Sequence, residues 1–167
     1  MGFTLHLEGE GKGPCPYGFR QSDSKVLLSY LTEHAWGLGE RPDVLGALAK
    51  SLGLSLEPLT RLGAGQQLSR EEMLAEGATE DDWHKQVSLN EATWQNPAAF
   101  LECLDALVQG LKGTPEVFAQ MQAALKDESE EFEYFSEGTF LQDIEDLATM
   151  ARWAQSSEAV RLRLVFG

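Results

Sequence analysis

The arrangement in this chain that comes closest to a metal site is Asp81-Asp82-Trp83-His84. On a helix, Asp81 and His84 would share one face, because residues three apart are neighbours on a helical surface. A carboxylate and an imidazole are common metal ligands, but a stable site needs further ligands. Neither His6 nor His34 stands in a setting that repeats the pair. We therefore predict no metal site and interpret this segment as a solvated helix end.

A glycine-rich segment, Gly9-Glu10-Gly11-Lys12-Gly13, follows a predicted strand as a phosphate-binding loop would. However, no Ser or Thr follows Lys12, and the glycine spacing fits neither nucleotide fingerprint. Pro14 and Pro16 also remove backbone amides where a helix N-terminus would hold phosphate. Nucleotide binding is not predicted.

Side chains suited to acid-base or nucleophilic catalysis are present, but none stands in an activating pattern. Four carboxylates lie on predicted helices, at positions that we expect to face outward: Glu102, Asp105, Asp143 and Asp146. The chain has no Gly-x-Ser-x-Gly elbow, and Cys15 has no neighbouring His or cation to lower its pKa. A non-catalytic role without a cofactor is favoured over an enzyme.

Acidic residues are concentrated in two stretches of the chain. The net charge is −14, from 27 acidic and 13 basic side chains. Residues 71–82 contribute −6 and residues 127–146 contribute −9, both without Lys or Arg. We call these stretches the first and second acidic tracts. A field of this sign repels nucleic-acid phosphates and attracts basic proteins, so a cationic protein partner is favoured and nucleic acid is not.

The chain carries no sign of a membrane segment or of a domain boundary. No apolar run approaches the roughly 20 residues that span a bilayer, and the first residues lack the features of a signal peptide. These observations predict a cytoplasmic protein without membrane attachment. With 167 residues and no repeat or compositional shift, the chain is expected to form a single domain, 1–167.

Both ends of the chain show the period-two pattern of a half-buried strand. Apolar residues alternate with polar ones at Phe3, Leu5 and Leu7, and again at Val160, Leu162, Leu164 and Phe166. A lone strand leaves its backbone groups unpaired, so we expect both strands to lie in one small sheet. Between them, helical spacing dominates and predicts about six helices. The fold class expected is therefore α+β and mainly helical.

Helix boundaries follow from capping residues. Asn96-Pro97 and Thr114-Pro115 predict the starts of two helices that form an antiparallel hairpin. Capping boxes at Ser69–Glu72 and Ser88–Glu91 predict two short helices. Residues 130–136, where acids and aromatics alternate, are expected to form a third strand or an exposed loop. A last helix covers about 139–155, with its acids facing outward.

These observations favour a non-catalytic acidic binding protein with a basic protein partner. Aromatic residues within the acidic tracts would supply affinity, while the acids would steer the encounter. The partner-binding residues predicted are Asp81, Asp82, Trp83, Glu130, Glu131, Phe132, Glu133, Tyr134 and Glu137. In general character the chain is similar to small acidic inhibitors of basic nucleases, including immunity proteins of bacterial toxin systems. No motif carries that similarity.

Two other functions stay open from the sequence. One is an enzyme or small-ligand-binding protein with a pocket near the Gly/Pro-rich loop 9–18, involving His6, Cys15 and His34. The other is a structural homodimer formed through a sheet edge or the helical hairpin. A bound metabolite would favour the first, and sedimentation would identify the second.

Overall fold

The computed structural model of the chain describes residues 4–37, 43–64, 68–125 and 129–167, with side chains described in these ranges except at 122–132. Within them, eight α-helices pack with one four-stranded sheet. The predicted α+β class is confirmed, and so is the small sheet that contains the N- and C-terminal strands.

The strands of the sheet are β1 (Leu5–Gly9), β2 (Gly13–Pro14), β3 (Leu62–Ala64) and β4 (Leu162–Phe166). Their spatial order is β2-β1-β4-β3. Strand β4 pairs antiparallel with β1, placing Leu7 opposite Leu164, and parallel with β3. Successive side chains of a strand point to opposite faces. One face of β1 and β4 is therefore buried and leucine-rich, while the other carries Glu8 and Arg163; Arg161 immediately precedes β4.

The glycine-rich segment forms the turn of the β1–β2 hairpin. The Lys12 amide donates to the Gly9 carbonyl at 3.0 Å. Gly11 and Gly13 have φ values of +74° and +76°, a backbone conformation that residues other than glycine rarely adopt. The glycines thus have a structural explanation, and the predicted loop includes the two-residue strand β2.

The helices are α1 (Lys25–Trp36), α2 (Val44–Leu52), α3 (Arg70–Ala75), α4 (Glu80–Glu91), α5 (Pro97–Gly113), α6 (Val117–Leu125), α7 (Ser129–Ser136) and α8 (Thr139–Ser156), with a 3-10 helix at Glu57–Thr60. Helix α5 begins as predicted, with Pro97 in its first turn and Asn96 accepting from the Ala99 amide at 3.1 Å. It packs mainly against α8, while α6 packs against α2 and α7.

The hydrophobic core is a continuous cluster between the leucine-rich face of the sheet and the helices. Helix α8 contributes Phe140, Ile144 and Leu147, all fully buried. Phe140 also contacts Phe135 of α7, with ring centroids 5.0 Å apart. Burying a large apolar side chain contributes about 1.5–3 kcal/mol, so this helix is a principal source of stability.

Two local predictions are wrong. Residues 130–136 lie in helix α7 instead of a strand or loop, because the helical turn brings Tyr134 and Phe135 together against α1 and α8. Residues 88–91 do not start a helix, because they form the last turn of α4, which is already capped at Thr79. The Ser69 capping box is confirmed.

A helix that crosses a bilayer needs about 20 consecutive, predominantly apolar residues. Within the described ranges, none combines the length and the apolar character that a membrane span requires.

Candidate functional site

The first acidic tract lies on a helical hairpin formed by α3 and α4, which we call the arm (68–92). Each helix of the arm starts with a capping box. Ser69 accepts from the Glu72 amide, and the Glu72 carboxylate accepts from the Ser69 amide at 2.8 Å. Thr79 and Asp82 make the same exchange, also with a 2.8 Å return bond. That backbone bond from Thr79 lowers the pKa of Asp82. Two acids of the tract therefore have a structural role.

The arm is exposed along most of its length. Neither α3 nor α4 has a buried side chain, although Met73, Leu74 and Trp83 are half-buried. Helices in proteins owe most of their stability to packing of an apolar face, so the arm depends unusually strongly on its caps. Trp83, expected to be an exposed anchor, is partly covered. The exposed large apolar residues of the arm are instead Leu68, Val87 and Leu89, of which Leu89 is the most exposed at 66%.

Negative charge on the arm is mostly unpaired. Residues 68–92 hold seven carboxylates and two cations, a net charge of −5. Arg70 forms an ion pair with Glu80, and Glu91 at the base of the arm pairs with Arg161. In the part of the chain that the structure describes, the other five carboxylates have no ion pair. They are Glu71, Glu72, Glu76, Asp81 and Asp82, and all five are exposed.

The base of the arm is attached to the polar face of the sheet. The Arg163 guanidinium of β4 stacks over the Trp94 ring, 4.5 Å from its centroid, and donates to Asn90 at the end of α4. Arg163 also forms an ion pair with Glu8 of β1. A desolvated cation over an indole ring contributes about 1–2 kcal/mol. This contact fixes the direction in which the arm leaves the sheet.

Apolar surface lies beside the acidic helix α4. A cleft of about 510 Å³ is lined by Asp81, His84, Lys85, Ser88 and Leu89. On the other side of Leu89, a smaller cavity of about 170 Å³ reaches Trp36 and Phe166, whose rings meet edge to face at 5.7 Å. Trp36 is 46% exposed. The arm thus combines unpaired carboxylates with exposed apolar side chains.

The second acidic tract does not form one exposed surface. Glu133 and Glu137 are exposed, whereas the side chains of Glu130, Glu131 and Phe132 lie outside the described residues. Tyr134 is buried, so the expectation that it lies on a binding surface is wrong. Its hydroxyl donates to Asp143 at 2.6 Å.

Asp143 and Asp146 of α8 are buried, which corrects the expectation that they face outward. Asp143 accepts hydrogen bonds from Tyr134 and, at 2.9 Å, from the Ser22 hydroxyl. Burial raises the pKa of Asp143, and these bonds partly offset the shift. Asp146 accepts from the backbone amide and Nε of Arg20. The two carboxylates therefore fasten residues 20–22 and α7 to α8.

The two acidic tracts are attached to opposite faces of the sheet. The arm is held by Arg161 and Arg163, which point away from the buried face. Helices α7 and α8 belong to the core on the leucine-rich face. The described residues of the two tracts therefore do not form one acidic flank, and the arm carries the larger described group of acids without ion pairs.

The residues of the enzymatic alternative have separate partners. His6 bonds to Thr4 at 3.0 Å, and His34 bonds to Asp43 at 2.9 Å. Cys15 and Cys103 are free thiols, and burial raises the pKa of both, which lowers their thiolate fraction at neutral pH. Among the residues described, no group of three or more His, Cys, Asp or Glu side chains is arranged to hold a metal ion.

Comparisons with known proteins gave no relative. Neither the protein-family models, the curated proteins nor the solved structures compared with the chain produced a match.

Proposed function

We propose that the chain is a non-catalytic binding protein and that the arm engages a positively charged protein partner. The observation that carries this proposal is the group of five exposed carboxylates on α3 and α4 that form no ion pair with any described residue, next to the exposed Leu89. Solvated acids contribute steering and orientation, and apolar side chains supply affinity once water is excluded. The arm offers both within one hairpin.

Electrostatics defines the partner class. The chain has a net charge of −14, so a basic protein is attracted from solution while nucleic acid is repelled. At physiological salt the screening length is about 8 Å, so attraction acts mainly over the last steps of approach. A basic nuclease fits this description, because its positive surface is shaped for phosphates. An inhibitor of such an enzyme would place its carboxylates against the surface of the enzyme that binds nucleic-acid phosphates.

The direct experiment compares charge reversals at matched exposed positions. Glu76→Lys with Asp81→Lys reverses two charges of the arm without touching the side chains of its two capping boxes. Glu102→Lys with Glu116→Lys makes the same change in net charge on exposed positions of the body. A third variant, Glu133→Lys with Glu137→Lys, tests the exposed part of the second tract. Circular dichroism checks that each variant retains its helices.

The partner is first captured from the native host at low salt and eluted with rising salt, and association is then measured by stopped flow. The arm variant is expected to associate about tenfold more slowly and with a weaker salt dependence, because steering is lost. The body variant should stay within about twofold of the wild type. Equal rates for the arm and body variants would overturn the proposal. A loss confined to the Glu133/Glu137 variant would move the site to α7.

A further inference from the structure

A second cleft lies between the Gly/Pro-rich loop and α8, and none of its lining residues belongs to the arm. Its volume is about 410 Å³, and its lining residues are Pro16, Tyr17, Gly18, Arg20, Asp146 and Thr149. It shares Arg20 and Thr149 with a neighbouring cavity of about 320 Å³, which is also lined by Lys112 and Arg152. Three of the chain's 13 basic side chains, Arg20, Lys112 and Arg152, thus line this neighbouring cavity in a strongly acidic molecule.

The guanidinium of Arg20 is oriented by a buried carboxylate. Its Nε donates to Asp146 Oδ1 at 2.8 Å, and the Arg20 backbone amide donates to Asp146 Oδ2 at 3.0 Å. The Asp146 side chain is only 3% exposed and is held in turn by Gln142 Nε2 at 2.9 Å. Asp146 is thus a buried carboxylate that accepts three hydrogen bonds, and its charge-assisted bond to Nε holds the Arg20 guanidinium in one orientation.

The opposite edge of the same guanidinium is free. The Arg20 side chain is 68% exposed, and within the described ranges its two Nη atoms make no hydrogen bond. Lys112 and Arg152 are also paired, with Glu145 and Asp105 respectively. Arg20 therefore presents a fixed and unoccupied pair of donors to the cleft.

We propose that this cleft binds a carboxylate attached to a small flat body, with both Nη groups of Arg20 donating to its two oxygens. The planar fork of arginine matches a carboxylate in a bidentate arrangement. Tyr17 is 56% exposed at the rim, where its ring can cover the body of the ligand. A singly charged group is favoured over a phosphate because three carboxylates, Asp105, Glu145 and Asp146, line the two neighbouring cavities.

The carboxylate has two sources with the same chemistry, a free small acid or the C-terminus of a polypeptide. The test uses benzoate as the probe and benzamide as its uncharged counterpart, with amide chemical shifts of the ¹⁵N-labelled chain as the readout. Benzoate is expected to give saturable shifts at Gly18, Arg20 and Thr149, with a dissociation constant of about 1 mM. Benzamide should shift none of them. Absence of saturation by about 50 mM benzoate, or equal binding of benzamide, would overturn the proposal.

Variants assign the binding to Arg20. Arg20→Gln should weaken benzoate binding by at least about tenfold, because the bidentate charged contact is lost. Arg61→Gln removes the same charge from an exposed pair with Glu57 and should leave binding unchanged. Tyr17→Ala, at an exposed position outside the Asp146 contact, should also weaken binding. Benzoate affinity in Arg20→Gln equal to that of the wild type would contradict the assignment.

A second comparison identifies the source of the carboxylate. The tripeptide Gly-Gly-Phe, with its free C-terminus, is titrated beside benzoate and beside the same peptide amidated. Tighter binding of the free peptide assigns the cleft to a chain end, and tighter binding of benzoate assigns it to a small acid. Equal binding of the free and amidated peptides would count against a carboxylate site.

Discussion

Replacing Tyr134 by Phe removes a single oxygen atom from the interior and tests whether the buried carboxylate of α8 depends on it. The hydroxyl of Tyr134 donates to Asp143 Oδ2 at 2.6 Å, and Asp143 is fully buried. The ring itself stays packed in the variant. It lies 5.9 Å from Phe140 and 5.2 Å from Phe135, measured between centroids, and neither contact involves the hydroxyl.

The size of the effect follows from what Asp143 loses. A hydrogen bond to a charged group contributes about 1.5–3 kcal/mol, and leaving a buried acceptor short of a donor adds to the loss. Ser22 remains as a donor at 2.9 Å, so the carboxylate is not left without a partner. We therefore expect the free energy of unfolding to fall by about 2–3 kcal/mol. For a chain of this size, that lowers Tm by about 4–12 °C.

Urea unfolding followed by tryptophan fluorescence, together with a thermal melt, measures both quantities. Tyr17→Phe is the matched control, because it deletes the same atom from an exposed ring. It is expected to change the unfolding free energy by less than about 0.5 kcal/mol. If Tyr134→Phe is as stable as Tyr17→Phe, the hydroxyl does not stabilise Asp143 and our account of the buried pair is wrong.

Three further predictions concern the buried acid and the arm. Burial raises the pKa of Asp143 above its ordinary value of 3.8, so the folded chain binds its proton more tightly than the unfolded chain does. The stability contributed by Asp143 therefore falls as pH rises above 3.8, and the unfolding free energy of Asp143→Asn relative to that of the wild type should increase with pH in urea titrations. Amide hydrogens of α4 should exchange faster than those of α8, as read by mass spectrometry, because α4 buries no side chain. Thr79→Ala should weaken α4 by about 1 kcal/mol, seen as faster exchange in its first turn with an unchanged global urea midpoint.

Elements with strong local signals could be predicted from the sequence. Alternation at Leu5 and Leu7 identified β1, and Asn96-Pro97 identified the start of α5. The capping box at Ser69 was equally reliable, because both bonds of the box are local. Ser88–Glu91 shows the same pattern inside a longer helix, where the amides are already bonded within α4. A capping motif therefore indicates a helix start only when no helix precedes it.

The burial of the α8 acids could not be predicted, because their partners are distant in sequence. Ser22 lies 121 residues from Asp143, and Arg20 lies 126 residues from Asp146. When the inner face of the helix is assigned from its apolar residues alone, each carboxylate is predicted to face outward. Packing against residues 20–22 and α7 reverses that expectation. Asp143 and Asp146 are three residues apart and lie beside the apolar stripe, so they share one face of the helix. This spacing was a signal that both carboxylates need polar partners from elsewhere in the chain.

The position of β4 makes assembly of the sheet a late event. Glu8 of β1 and Arg163 of β4 are 155 residues apart in the chain, and β4 stands between β1 and β3. A ribosome synthesises all eight described helices before it makes β4, the strand that pairs with both β1 and β3. Until then the leucines of β1 have no sheet neighbour on that side and are open to aggregation or to a chaperone. Deletion of residues 162–167 would therefore remove β4, an inner strand of the sheet.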